Sequence, residues 1–111
     1  MTDVRPLRLP GSGPDFVPVA DVMELELQLV IRIALPGVLE EDIDLSFDSG
    51  GLTVRGELEQ PVVVDEGRPL VQEWHYGFFE RRFDIPDDVD REAMLVVVEC
   101  GVLELKLPRR R

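Results

Sequence analysis

From Leu25 onward, hydrophobic side chains recur at every second position: Leu25, Leu27, Leu29, Ile31, Ile33 and Leu35 alternate with Glu26, Gln28, Val30, Arg32 and Ala34. That period belongs to a half-buried strand, because a helix would scatter these residues around its circumference. Pro36-Gly37 closes the run as a turn. A second alternation sets Ile43, Leu45 and Phe47 against Asp42, Asp44, Ser46 and Asp48. It passes through Ser49-Gly50-Gly51 into Leu52-Thr53-Val54-Arg55, which predicts a hairpin. Residues 57–73 lose the period and contain Pro61, Gly67 and Pro69, so they read as a long loop with room for a short strand at Val62–Val64 or Leu70–Val71. Phe79, Arg81, Phe83 and Ile85 then alternate with Glu80, Arg82 and Asp84 up to Pro86. Met94 to Glu99 and Val102 to Leu107, joined by Cys100-Gly101, supply a last hairpin.

Sustained helical periodicity is missing, and Asp87 to Ala93 has room for one turn at most. Residues 1–15, rich in Pro and Gly, read as a flexible arm, with the domain starting near Phe16. Seven or so short strands separated by turn signals predict an all-β fold, an antiparallel immunoglobulin-like β-sandwich. The Cys…Trp…Cys spacing of true immunoglobulin domains is absent.

At 111 residues the chain has the length of one domain, and its 44% hydrophobic content argues against disorder. Twelve basic against 23 acidic residues leave a net charge of −11 with a single lysine, Lys106, which argues against nucleic-acid binding. The basic tail, Arg109 to Arg111, is too short to change that and reads as a solvated end. One cysteine, Cys100, excludes an internal disulfide and fits a reducing compartment. Arg5, Pro6, Arg8 and Pro10 interrupt any signal-like apolar run, and the longest apolar stretches are too short to span a bilayer. The expectation is a cytoplasmic protein with no membrane or nucleic-acid partner.

Candidates for chemistry are scarce. His75, the single histidine, sits between Trp74 and Tyr76, and Cys100 precedes a glycine in a turn with no base nearby in sequence. The series Asp44, Ser46, Asp48 starts like a calcium loop, but Ser49 and Arg55 stand where that loop requires Gly and Glu. One His and one Cys cannot build a zinc site, and no glycine-rich phosphate loop opens a helix. The reading is therefore a non-enzyme with no catalytic residue, no metal and no cofactor.

What stands out is apolar surface. Met94, Leu95, Val96, Val97 and Val98 place hydrophobic side chains on both faces of one strand, where a sandwich strand normally buries one. Either the chain's own arm or loop covers the second face, or that face binds something. Arg81 is the second oddity, since the period puts its guanidinium on the face of Phe79 and Phe83. There it needs a partner, an interface, or a route to water.

The run Glu73-Trp74-His75-Tyr76-Gly77-Phe78-Phe79-Glu80-Arg81-Arg82-Phe83-Asp84-Ile85-Pro86 resembles the signature of the small heat-shock proteins. Gly101-Val102-Leu103-Glu104-Leu105-Lys106-Leu107-Pro108 is similar to the family's Gly-Val-Leu-x-x-x-x-Pro ending. Pro18-Val19-Ala20-Asp21-Val22, Leu35-Pro36-Gly37-Val38 and Leu52-Thr53-Val54-Arg55-Gly56-Glu57 match its earlier blocks in order, so the resemblance covers residues 16–108.

That resemblance implies an α-crystallin domain over residues 16–108, flanked by the arm and the tail, and ATP-independent holding of unfolding client proteins. The spacing from Gly56 to Gly77 looks like that of the bacterial type, whose loop carries a strand exchanged within a homodimer. By the same carry-over Arg81, Glu73, Leu70 and Val71 fall at the dimer interface. A client or tail groove falls at Ile43, Leu45 and Phe47 facing Met94, Val96 and Val98. Val96 stands where the family usually has alanine, and Pro69 interrupts the region of the exchanged strand. The chain ends at Arg111 without an Ile-x-Ile/Val tail, and its arm is short. Taken as the native length, this predicts a dimer or small oligomer with reduced holding activity; taken as part of a longer chain, it predicts a standard, higher-oligomeric chaperone. The alternative is an adaptor or co-chaperone module of the CS-domain type that docks on one folded partner.

Overall fold

The structure is a computed structural model, and it describes residues 13–61 and 67–110. Among these, seven strands form two antiparallel sheets: β1 (Ala20–Glu24), β2 (Gln28–Ala34), β3 (Ile43–Phe47), β4 (Gly51–Leu58), β5 (Gly77–Asp84), β6 (Leu95–Glu99) and β7 (Val102–Pro108). One sheet has the order β1-β2-β7-β6 and the other β3-β4-β5. The alternation read along the chain sets which side chains meet between them. Leu29, Ile31 and Ile33 of β2 and Leu103, Leu105 and Leu107 of β7 pack against Leu52 and Val54 of β4 and Phe79 and Phe83 of β5. All ten are buried, as expected for the facing layers of a sandwich. Their polar neighbours face outward in pairs, Arg32 with Glu104 at 3.2 Å and Arg55 with Glu80 at 3.3 Å.

The first alternating run overstates its strand. Leu25 and Leu27 lie in the connection between β1 and β2, where the Leu25 N–H donates to the Gln28 carbonyl, and they are exposed. Their backbone is held by the C-terminal segment instead: the Arg109 N–H donates to the Leu27 carbonyl, and its Nε to that of Leu25. Leu70–Val71 forms no strand, and both side chains are almost fully exposed. The other suggested strand, Val62–Val64, lies outside the described residues. Among the described residues the helical content is two single 3₁₀ turns, Glu40–Asp42 and Arg91–Ala93, the second capped by the Asp90 carboxylate accepting from the Glu92 N–H. Neither is long or apolar enough to cross a membrane.

β6 and β7 are joined by Cys100 and Gly101 at φ 53° and 76°. Positive φ at both residues is the geometry whose twist matches that of the paired strands. On β4, Gly56 admits the neighbouring ring: a Cβ there would lie 2.6 Å from the Phe79 ring and 2.3 Å from the Asp42 carbonyl oxygen.

Candidate functional site

The sheet orders leave β3 at the free edge of one sheet and β6 at the free edge of the other. On β3, Ile43, Leu45 and Phe47 pair with Gly56, Val54 and Leu52 and so share the inward face. They remain half-buried. On β6, Val96 and Val98 pair with the fully buried Leu105 and Leu103, yet Val98 is half-buried and Val96 is 43% exposed. Met94, just before β6, is also half-buried, and with Ile43, Leu45, Phe47 and Val98 it packs against the edge of the core. Thus the six residues assigned to a groove line the open margin of the sandwich between two strand edges. No described element covers that margin.

One end of this margin is fastened by a polar clamp. The Asp48 carboxylate follows Phe47 and accepts 2.9 Å hydrogen bonds from the N–H groups of Gly50 and Gly51 in the β3–β4 turn. It also pairs with the Arg82 guanidinium of β5. The Arg82 hydrogen bond, followed by the turn N–H groups, holds the Asp48 carboxyl far below its ordinary value of 3.8, and the same contact raises Arg82. Arg91 reaches across from the 3₁₀ turn before β6, donates to the Asp48 carbonyl and lies 4.9 Å over the Phe47 ring. The groove therefore ends at a cation that ties the β6 side to the β3 side. Neither Asp48 nor Arg91 was legible as part of the site, since their contacts join residues 34 and 43 positions apart.

The interface residues are distributed differently. Arg81 does lie on the inward face of β5, half-buried opposite Val54. Its guanidinium donates at 3.0 Å to the Pro18 carbonyl and lies 5.3 Å from the centroid of the Phe83 ring, so it has partners within its own chain. Leu70, Val71 and Glu73 sit exposed in the loop before β5, and Leu70 and Val71 are 84% and 78% exposed. His75 packs its ring on Phe16, with centroids 6.2 Å apart, and Phe16 in turn packs on Phe79. That is a packing role. On the outer face of β6, Leu95 and Val97 pair with Lys106 and Glu104 and are 61% and 41% exposed, so no described arm or loop closes over them.

A seven-stranded sandwich with these two sheet orders defines a domain of the α-crystallin kind. The chain belongs to the Hsp20/alpha crystallin family, whose model matches residues 21–111. It is similar to small heat shock protein C4 of Rickettsia felis, with 33% identity over 93 residues. That match takes in 84% of this chain but 57% of the relative's length. Among solved structures it resembles a small heat-shock protein from Xylella fastidiosa, with a TM-score of 0.79 and 32% identity over 87% of this chain and 89% of that one. HspA from Xanthomonas axonopodis gives a TM-score of 0.77 and 34% identity over 86% and 95% of the two chains. The family is one of small heat-shock chaperones.

Proposed function

We propose that this chain acts as an ATP-independent chaperone of the cytoplasm, a holdase that takes exposed apolar segments of unfolding proteins into the β3–β6 groove and keeps them from aggregating. The observation that carries the reading is the pair of free edges bearing inward-facing but uncovered apolar residues. An extended segment laid there gains main-chain hydrogen bonds from an edge and buries alternate side chains, each contributing about 25 cal/mol per Å² covered. The acidic surface, net −11, keeps the loaded complex dispersed by mutual repulsion. No cofactor or reaction enters this mechanism.

The same reading makes the working unit a homodimer. Leu70 and Val71 project from the loop into solvent, and β1 is a free edge with Val22 and Met23 exposed beside it. A loop segment adding to that edge in a second copy would cover both sets. Arg81 and Glu73 complete the interface proposed here. The Xylella fastidiosa relative is described as adopting a distinct high order structure, in keeping with assembly in this family.

The test is light scattering from a heat-labile client warmed with increasing amounts of the protein and no nucleotide. Suppression of aggregation supports the holdase reading. Aggregation undiminished at several-fold excess removes it.

A further inference from the structure

Phe47 and Met94 share one end of the groove. Asp48 follows Phe47, Arg91 stands in the turn that leads into Met94, and the Arg91 guanidinium donates to the Asp48 carbonyl. Both apolar side chains are half-buried against the edge of the core. Three kinds of group therefore gather at this end: a benzene ring, a thioether, and a guanidinium lying 4.9 Å over the ring.

The guanidinium is the unusual member. Among the described residues Arg32, Arg55, Arg82 and Arg109 each have a carboxylate at ion-pair distance, whereas Arg91 has none, in a chain with 23 acidic residues. Its neighbour Asp90 is turned to the Glu92 N–H. The hydrogen bond from Nη1 of Arg91 goes to a backbone carbonyl, so it fixes the guanidinium over Phe47 without neutralising it. Arg91 is half-buried, and part of this cation still faces solvent where the groove opens.

An aliphatic side chain entering here gains contact area alone. A carboxylate pairs with Arg91 but is stripped of water against Phe47 and Met94, and it approaches a chain of net charge −11. An aromatic ring suits all three groups: it stacks on the guanidinium, meets the Phe47 ring offset or edge-on, and accepts the thioether at its rim. Rings also distinguish unfolding proteins from folded ones, because folding buries phenylalanine and tryptophan while carboxylates stay on the surface in either state.

We infer that the Phe47–Arg91–Met94 end of the groove is a site for an aromatic side chain of the client, with Arg91 as its specificity-determining residue; this rests on the groove being the client surface proposed above. The segment it selects is extended and carries its ring two positions from the aliphatic residue seated between Leu45 and Val96.

The experiment titrates three capped peptides into the full-length chain and its Arg91→Gln variant, following the Leu45 and Val96 methyl resonances. The peptides are Val-Thr-Val-Thr-Phe and the same sequence ending in cyclohexylalanine or in glutamate. Cyclohexylalanine keeps the size of the ring and lacks its π system, so the ratio of the first two affinities cancels any general loosening of the groove by the substitution. The expected result is that this ratio, phenylalanine over cyclohexylalanine, falls about 2–5-fold in Arg91→Gln. A ratio that is equal in both chains, with the groove resonances moving, overturns the inference and leaves the groove reading standing. Tightest binding by the glutamate peptide, lost in Arg91→Gln, assigns the cation to a carboxylate and also overturns it. If no peptide moves the groove resonances while client aggregation is still suppressed, the groove reading falls and takes the ring site with it.

Discussion

Val96 and Val97 are adjacent on β6, almost equally exposed at 43% and 41%, and point to opposite faces of the sheet. Val96 faces the groove, while Val97 faces solvent opposite Glu104. The variants Val96→Asp and Val97→Asp therefore have identical composition and net charge and a similar cost in strand propensity, so only the face differs. Fully burying a valine side chain contributes about 1.5–3 kcal/mol, so covering the exposed two-fifths of Val96 contributes about 0.6–1.3 kcal/mol, a factor of about 3–9 in affinity. The carboxylate adds to this loss, because a client laid over it strips its water without supplying a partner, at a cost of several kcal/mol. In a titration of client aggregation followed by light scattering, Val96→Asp should need more than about 3–9 times the original chain's concentration for equal protection, and Val97→Asp about the same as the original. Urea unfolding of both variants controls for stability. Equal protection by the two, with equal fold stability, would refute the assignment of client binding to the groove face.

The clamp at the groove's end has a defined pH dependence. Asp48 is held below its ordinary 3.8 by Arg82, so the unfolded chain takes up the proton first. Its contribution is complete above that value and is lost as pH falls through the depressed folded value. The stability gap between the original chain and Asp48→Asn in urea melts should be flat from neutral pH to about 5 and should narrow in more acid solution; a gap that widens on acidification contradicts the ion pair. Cys100 occupies a left-handed turn position that costs an ordinary side chain about 1–2 kcal/mol and that asparagine tolerates. Cys100→Asn should raise the melting temperature by about 4–8 °C for each kcal/mol recovered, and a lowered one would show that the turn is shaped by something else. Leu70→Asp/Val71→Asp places two charges where the proposed dimer buries apolar surface. The solution mass by light scattering should fall from that of two chains to that of one, and an unchanged mass removes the loop from the interface.

Strands with one deeply buried face were legible from alternation alone, because the period that builds the core is also the period seen in the residues. β4, β5 and β7 emerge within a few residues of their predicted bounds, and so does β3, whose inward side chains are half-buried. The same logic misread Leu25 and Leu27, whose alternation continues into a turn that carries neither glycine nor proline. It gave no signal for β1, an edge strand whose residues are nearly all exposed and so lack a buried face to impose a pattern. Ile43, Leu45 and Phe47 keep the core period while remaining half-buried at the free edge of their sheet. Contacts distant in sequence could not be read. Arg81 was visible as an anomaly on an apolar face, but its partner is a backbone carbonyl 63 positions away.

The clamp and the groove are connected by a physical requirement. Two sheets meeting along an open margin would reduce their exposed apolar surface by closing together or by pairing edge to edge, and an open groove persists only if something else fixes the separation. Here Asp48 holds the β3–β4 turn to β5 through Arg82, and Arg91 joins that turn to the segment entering β6. Charged groups suit this task because their hydrogen bonds are directional, whereas apolar contacts favour collapse in any direction. Asp48 and Arg91 thereby tie the segment entering β6 to the β3–β4 turn at one end of the uncovered margin, where Arg91 also lies over the Phe47 ring.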